Sequence, residues 1–140
     1  MSKVAVVFWS GTGNTEVMAE CVAEGITAAG KEAVMLQPSE FSLDVAGDYD
    51  AVAFGCPSMG AEQLEEGDMQ PMWDSVVNGL SGKNVSLFGS YGWGDGEWMR
   101  TWEAEAKDGG MNVLETLILN EMPNDDGKDD CRSLGKDLAR

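Results

Sequence analysis

Five short apolar runs alternate with stretches in which apolar residues recur every three or four positions, and this alternation narrows the fold more than anything else in the chain. The runs occupy residues 3–9, 33–36, 51–55, 85–89 and 113–119. Val4, Ala5, Val6, Val7, Phe8 and Trp9 offer no polar residue to turn toward water, which suits a strand covered on both faces. Val17, Met18, Cys21, Val22, Gly25, Ile26 and Ala29 then fall at helical spacing, and Gly30 closes that helix. Further helices are expected over 69–80, with Pro71 in the first turn, over 98–107 and over 126–139. Strands alternating with helices give an α/β fold, a parallel sheet covered on both faces. Right-handed crossovers limit its topology. Ligands of such sheets bind beyond the carboxyl ends of the strands, where the strand order reverses. A chain of 140 residues suits one domain, 1–140, with one core.

The turn between the first strand and the first helix reads Ser10, Gly11, Thr12, Gly13, Asn14, Thr15. The first amides of a helix lack partners within it, and the helix dipole places partial positive charge there. An anion at that end satisfies both. Gly11 and Gly13 permit close backbone approach, and the three hydroxyls and the Asn14 amide are donors. A single helix cap needs one such residue, not four with two glycines. The phosphate loop of nucleoside triphosphatases requires a Lys that is missing here, and the dinucleotide fingerprint fails because Glu16 stands where Gly is needed. A single terminal phosphate, as on a mononucleotide, fits this turn better than a triphosphate or pyrophosphate.

Two later loops complete a pocket. After the third strand come Cys56, Pro57, Ser58, Met59, Gly60, Ala61 and Glu62. After the fourth come Ser90, Tyr91, Gly92, Trp93 and Gly94. Trp93 between two glycines suits a platform on which a flat ring stacks. Trp73, Trp98 and Trp102 sit in helical patterns and read as packing residues, whereas Trp9 at a strand end is assigned to neither class. A phosphate cradle, a Met-Gly edge and an aromatic face describe a site for a phosphorylated flat ring. Flavin mononucleotide (FMN) fits best.

The three cysteines are far apart in sequence and the chain has no His, which argues against a redox Cys pair, a zinc cluster or any other metal site. Cys21 reads as core filler, and Cys56 at a strand end is placed to line a pocket. No apolar run reaches the length of a membrane span, and no signal-like segment opens the chain, so a cytoplasmic location is expected. The net charge of −16 disfavours nucleic acid and anionic membranes as partners and favours basic protein surfaces.

At this point the chain resembles the short-chain flavodoxins, similar to the clostridial and Megasphaera proteins of anaerobic bacteria. The resemblance runs through residues 9–16, Met59-Gly60, residues 88–94 and residues 120–123. It implies a flavodoxin-like doubly wound three-layer sandwich, with the five-stranded parallel sheet in the order 2-1-3-4-5 for which flavodoxin is the type example. It implies a monomeric low-potential one-electron carrier with non-covalent FMN, working in place of ferredoxin between redox enzymes with basic docking surfaces, and not an enzyme. Residues Ser10 to Thr15 would hold the phosphate. Trp93 would stack on one ring face, and Met59, next to Ser58, would cover the other. Asn120 and the backbone near Ser90, with Tyr91, Gly92 and Gly94 in the same loop, would lie by the ribityl or ring region. Glu62, or its backbone, would reach the pyrimidine edge. The Gly60 peptide would turn over on one-electron reduction, which glycine tolerates because it has no Cβ. Ala61 stands where relatives carry Asp or Ser, and it has no side-chain acceptor to bias that turn.

Acids flank the three loops: Glu62, Glu65, Glu66 and Asp68, then Asp95 and Glu97, then Asp125, Asp126, Asp129 and Asp130. Their field would lower the potential of the second electron and steer basic partners. A small FMN-dependent quinone or azo reductase would need a substrate cavity that no extra segment supplies. A phosphoryl-accepting receiver domain would need an Asp at a strand end, yet Trp9 and Gly55 stand at those positions.

Overall fold

Val4 to Phe8 are all buried, and so are Ala51 to Gly55, because these two strands occupy the middle of the sheet. The structure is a computed structural model and describes residues 2–140. Its elements are β1 (Lys3–Phe8), α1 (Asn14–Ala28), β2 (Glu32–Leu36), a 3-10 turn (Pro38–Glu40), α2 (Leu43–Ala46), β3 (Ala51–Gly55), α3 (Met69–Val76), β4 (Asn84–Tyr91), α4 (Glu97–Asp108), β5 (Asn112–Asn120) and α5 (Asp125–Leu138). The five strands lie in the order β2-β1-β3-β4-β5, and every neighbouring pair is parallel. The expected flavodoxin-like topology is therefore present.

Alternate residues of a strand face opposite sides, and the core divides accordingly. Ala5, Val7, Val52, Phe54, Val85 and Leu87 pack with Met72 and Trp73 of α3 and Trp98 and Trp102 of α4. Val4, Val6, Ala51 and Ala53 pack with Met18, Val22 and Ile26 of α1 and Cys131 and Leu134 of α5. These are the three layers. The three tryptophans assigned to packing are at most 2% exposed.

On the second face α1 and α5 meet backbone to backbone. A Cβ on Gly25 would lie 2.0 Å from the carbonyl oxygen of Arg132, and one on Gly135 would lie 2.1 Å from that of Val22. Only glycine fits at either position. Cys21 and Cys131 each lie four residues before those glycines and are buried beside the crossing. Burial, then the nearby Cys21, pushes the Cys131 thiol up to about 12.

The element boundaries differ from expectation where a turn replaces a periodic pattern. α1 begins at Asn14, three residues before its first apolar position, because Gly13 adopts φ +98° and caps the helix directly after the loop. The expected helix over 69–80 stops at Val76; Leu80 is buried from a turn instead, and Gly79 packs against Leu43. α2 is four residues long, too short to show a period. β4 runs on through Ser90 and Tyr91, which pair with Leu119 and Asn120. That extension carries the fourth strand into the site. No helix among the described residues is long and apolar enough to cross a membrane.

Candidate functional site

A cavity of about 410 Å³ opens beyond the carboxyl ends of the sheet. It takes Trp9, Gly11, Thr12 and Asn14 from the β1–α1 turn, Pro57, Ser58 and Met59 from the loop after β3, Ser90, Tyr91 and Gly92 from the end of β4, and Glu121 and Met122 from the loop after β5. Its walls are mainly aromatic, thioether and small polar groups. Its volume lies within the range of small-molecule sites.

The β1–α1 turn is held from inside. Ser10 Oγ accepts the amides of Gly13 at 3.1 Å and Glu16 at 3.2 Å. With its oxygen so occupied, the Ser10 hydroxyl proton stays free to be donated. The amides of Gly11, Thr12, Asn14 and Thr15 have no acceptor among the described residues. Four bare amides and one hydroxyl thus stand at the positive end of a fifteen-residue helix. The indole of Trp9 lies over Gly11, where a Cβ would sit 2.9 Å from the ring. Gly11 is what lets Trp9 fold onto the loop.

Thr15 has a partner inside the protein. Its side chain is 1% exposed, and Oγ1 lies 2.9 Å from Ser90 Oγ. This bond joins the start of α1 to the end of β4. Asn120 likewise donates Nδ2–H to the carbonyl of Tyr91 at 3.1 Å, fixing the end of β5 on β4.

The loop after β3 is a small antiparallel turn in which Met59 and Gln63 exchange two backbone hydrogen bonds at 2.9 and 3.0 Å. Gly60 within it has φ +48°, and a Cβ there would meet nothing. Ala61 is exposed, and Glu62 takes φ +54°. The Glu62 carboxylate accepts the amides of Gly96 and Glu97, both at 3.2 Å, which start α4. Glu65 anchors the other end of the segment, accepting the amides of Gly67, Asp68 and Met69 at 2.6, 2.7 and 3.0 Å. Burial raises the Glu65 carboxyl, but the three amide bonds together outweigh it and hold it below the usual Glu value. Cys56 does not line the cavity: it is fully buried, its Sγ accepts the Glu65 amide at 3.4 Å, and burial pushes the thiol up to about 12.

Of the residues expected at the site, Gly11, Thr12, Asn14, Ser58, Met59, Ser90, Tyr91 and Gly92 line the cavity. Ser10, Gly13, Thr15, Gly60, Ala61, Glu62, Gly94 and Asn120 stand behind or beside it. Trp93 projects from the loop next to Gly92 with 65% of its surface exposed. Trp9, Pro57, Glu121 and Met122 line the cavity without having been singled out for it. Glu121 is legible only from the backbone, at φ +55° on a residue that is not glycine. Met122 is 52% exposed at the rim.

Comparison with known proteins gives a consistent family. Residues 6–135 match the flavodoxin family model. The flavodoxin of Megasphaera elsdenii is 42% identical over 137 residues, covering 98% of each chain. That of Clostridium beijerinckii is 42% identical over 134 residues, covering 96% of this chain and 97% of the relative. The solution structure of two-electron reduced M. elsdenii flavodoxin superposes with a TM-score of 0.90 at 41% identity, over 97% of this chain and 98% of that one.

Proposed function

From the premise that this chain belongs to the flavodoxin family, we propose that the cavity beyond β1, β3, β4 and β5 is its FMN site. The function is the family's: electron transfer with bound FMN, not turnover of a substrate of its own. One observation carries the placement. Of the four amides without acceptors among the described residues, those of Gly11, Thr12 and Asn14 belong to residues that line a mainly apolar cavity, and no Lys or Arg is among its described lining residues. A phosphate held by neutral donors fits there, with a flat ring lying toward Trp9, Met59 and Tyr91.

FMN, when bound, supplies the redox chemistry by taking and giving electrons singly. The protein residues do the rest. Residues 10–15 hold the phosphate, with Thr15 acting through Ser90 to fix the depth of the turn. Met59 and Tyr91 exclude water from the ring. Trp93, on its exposed loop, would stack on one face of the ring. Gly60 offers its peptide to the ring edge, in a turn where no side chain hinders rotation. Glu62 and Glu65 hold that turn from either side.

The partners are redox proteins with basic surfaces, met by a monomer of this chain at the acidic rim of the cavity. Glu66, Asp68, Asp95, Glu97, Glu121, Asp125 and Asp126 are all exposed around the loops, and Trp93 and Met122 add exposed apolar contact.

Titrating the apoprotein with FMN tests the site. Stoichiometric uptake, a yellow protein and quenched flavin fluorescence are expected. Absence of uptake by folded protein would refute it. For docking, the rate of electron transfer to a basic acceptor should fall steeply with ionic strength, and a rate indifferent to salt would refute an acidic docking surface.

A further inference from the structure

The aromatic residues at the cavity wall continue into the protein. Tyr91, which lines the cavity, has its ring centroid 6.0 Å from that of Trp98. Trp98 and Trp102 are one helical turn apart on α4, on its buried face. Trp102 lies 5.6 Å from Trp73 of α3, nearly perpendicular to it. Four oxidisable rings thus run from the cavity to α3, and the three indoles are at most 2% exposed.

Packing alone accounts for large rings in a core. It does not call for the way the three indole N–H groups are partnered. Trp98 Nε1–H donates to the carbonyl of Cys56 at 3.2 Å, and a peptide carbonyl cannot keep a proton. Trp102 Nε1–H is buried with no partner among the described residues. Trp73 Nε1–H donates to Glu105 Oε1 at 2.9 Å, and Glu105 is exposed. An indole that has lost an electron becomes a strong acid, and it sheds its proton only where a base is in contact. Trp73 alone of the three meets one. The net charge of −16 further favours a positive hole inside the protein.

We propose that Tyr91, Trp98, Trp102 and Trp73 form a relay that carries an oxidising equivalent from the cofactor cavity to Trp73, where Glu105 receives the indole proton. The relay rests on the FMN reading above, because light-excited flavin in that cavity is its oxidant. The flavin gains one electron, drawn from the Tyr91–Trp98 pair. Trp102 refills Trp98, and Trp73 refills Trp102. Trp73 ends one electron and one proton short, with that proton on Glu105. When the electron returns from the flavin, the proton returns to Nε1 and every group is restored. The relay holds the hole away from the flavin and the cavity wall until then.

Flash photolysis of the FMN-loaded protein tests this, read at the separate absorption bands of protonated and deprotonated tryptophan radicals. The native protein should give a long-lived deprotonated radical. Trp73→Phe and Trp102→Phe should each lose it, leaving only fast recombination near the cavity. Glu105→Gln, at an exposed position, should hold the radical in its protonated form and shorten its life. A native protein with no long-lived radical, or a Trp73→Phe protein that keeps it, overturns the relay. If the two Phe variants do not fold, a deprotonated radical of native lifetime in Glu105→Gln overturns it. Failure of the FMN reading is seen separately, as absence of bound yellow flavin before any flash.

Discussion

Glu62 Oε1 lies 3.2 Å from the amide nitrogen of Gly96. Through this bond the turn after β3 is fastened to the loop after β4. The same oxygen accepts the Glu97 amide, and a Cβ on Gly94 would stand 2.5 Å from it. The loop that carries Trp93 is therefore wrapped around a carboxylate borrowed from the turn that carries Gly60. The negative charge also sits at the amino end of α4, where the helix dipole favours it.

Glu62→Ala removes the acceptor of two helix-end amides and should destabilise the protein by about 1–3 kcal/mol, with Glu62→Gln losing less because it keeps an acceptor. Both should weaken FMN binding through the disordered Trp93 loop. Urea denaturation of the apoprotein and FMN titration measure the two effects. Native stability in Glu62→Ala would show that the bond carries nothing.

Thr15 and Ser90 give a second tie, buried at the back of the phosphate turn. Thr15→Val keeps the shape and leaves Ser90 Oγ without its partner; Ser90→Ala does the reverse. Each should cost about 1–2 kcal/mol, and the double variant less than their sum, because the second change removes the orphaned hydroxyl. Strict additivity in the denaturation midpoints would mean that the two hydroxyls do not depend on each other.

These ties mark the limit of what the chain discloses before it is folded. Alternation of apolar runs located all five strands, and the crowding of Ser10 to Thr15 located the turn at the mouth of the cavity. Which of those hydroxyls face outward was not legible. Ser10 accepts backbone amides of its own turn, and Thr15 points inward to a partner on β4, seventy-five residues further along. Glu62 and Asn120 are of the same kind: each reaches a backbone group supplied by another loop. Residues that line the cavity through apolar contact, such as Trp9 and Met122, lie at strand ends where periodicity gives no sign of inside or outside.

The Glu65 clamp should make the loop after β3 sensitive to acid. Burial raises its carboxyl, the amides of Met69, Asp68 and Gly67 together lower it by more, and the net result lies below the ordinary value of 4.5. A carboxyl with a lowered folded pKa contributes stability that is complete above its unfolded pKa and is lost as pH falls through the folded value. Native protein should thus lose stability faster than Glu65→Gln as pH drops from about 5 toward 3. Parallel curves of denaturation midpoint against pH would contradict this.

Glu115 on β5 should behave in the opposite sense. Burial, then the charge of Asp137, raises its carboxyl above 4.5. A raised acid binds its proton more tightly in the folded state, so at neutral pH its ionised form works against folding, and that penalty fades as pH falls through the folded pKa. Glu115→Gln should therefore raise the denaturation midpoint at pH 7, and the gain should shrink as pH falls below the folded pKa. A variant less stable than native at pH 7 would mean that packing of the charged side chain outweighs its desolvation.

The last prediction concerns the acidic rim. Not every acid there is free to be neutralised cleanly: Glu65 clamps three amides, Glu62 holds the start of α4, and Asp95 pairs with Arg100 at 3.0 Å. Neutralising Asp95 would release a cation as well as remove an anion. Glu97 and Asp125 are exposed and belong to no ion pair among the described residues. A charge about 10 Å from the ring opposes added negative charge by roughly 0.4 kcal/mol in water-like dielectric, and salt near 0.1 M cuts this to about a third. For one electron, ~1.4 kcal/mol corresponds to ~59 mV. Glu97→Gln with Asp125→Asn should thus raise the potential of the second electron by roughly 30 mV at low salt and about 10 mV at 0.1 M. Spectroelectrochemistry at two ionic strengths measures this directly. The salt dependence is the discriminating part: a shift that persists undiminished at high salt would come from altered contacts with the ring rather than from the field of the rim, and no shift at low salt would remove these acids from the tuning of the potential.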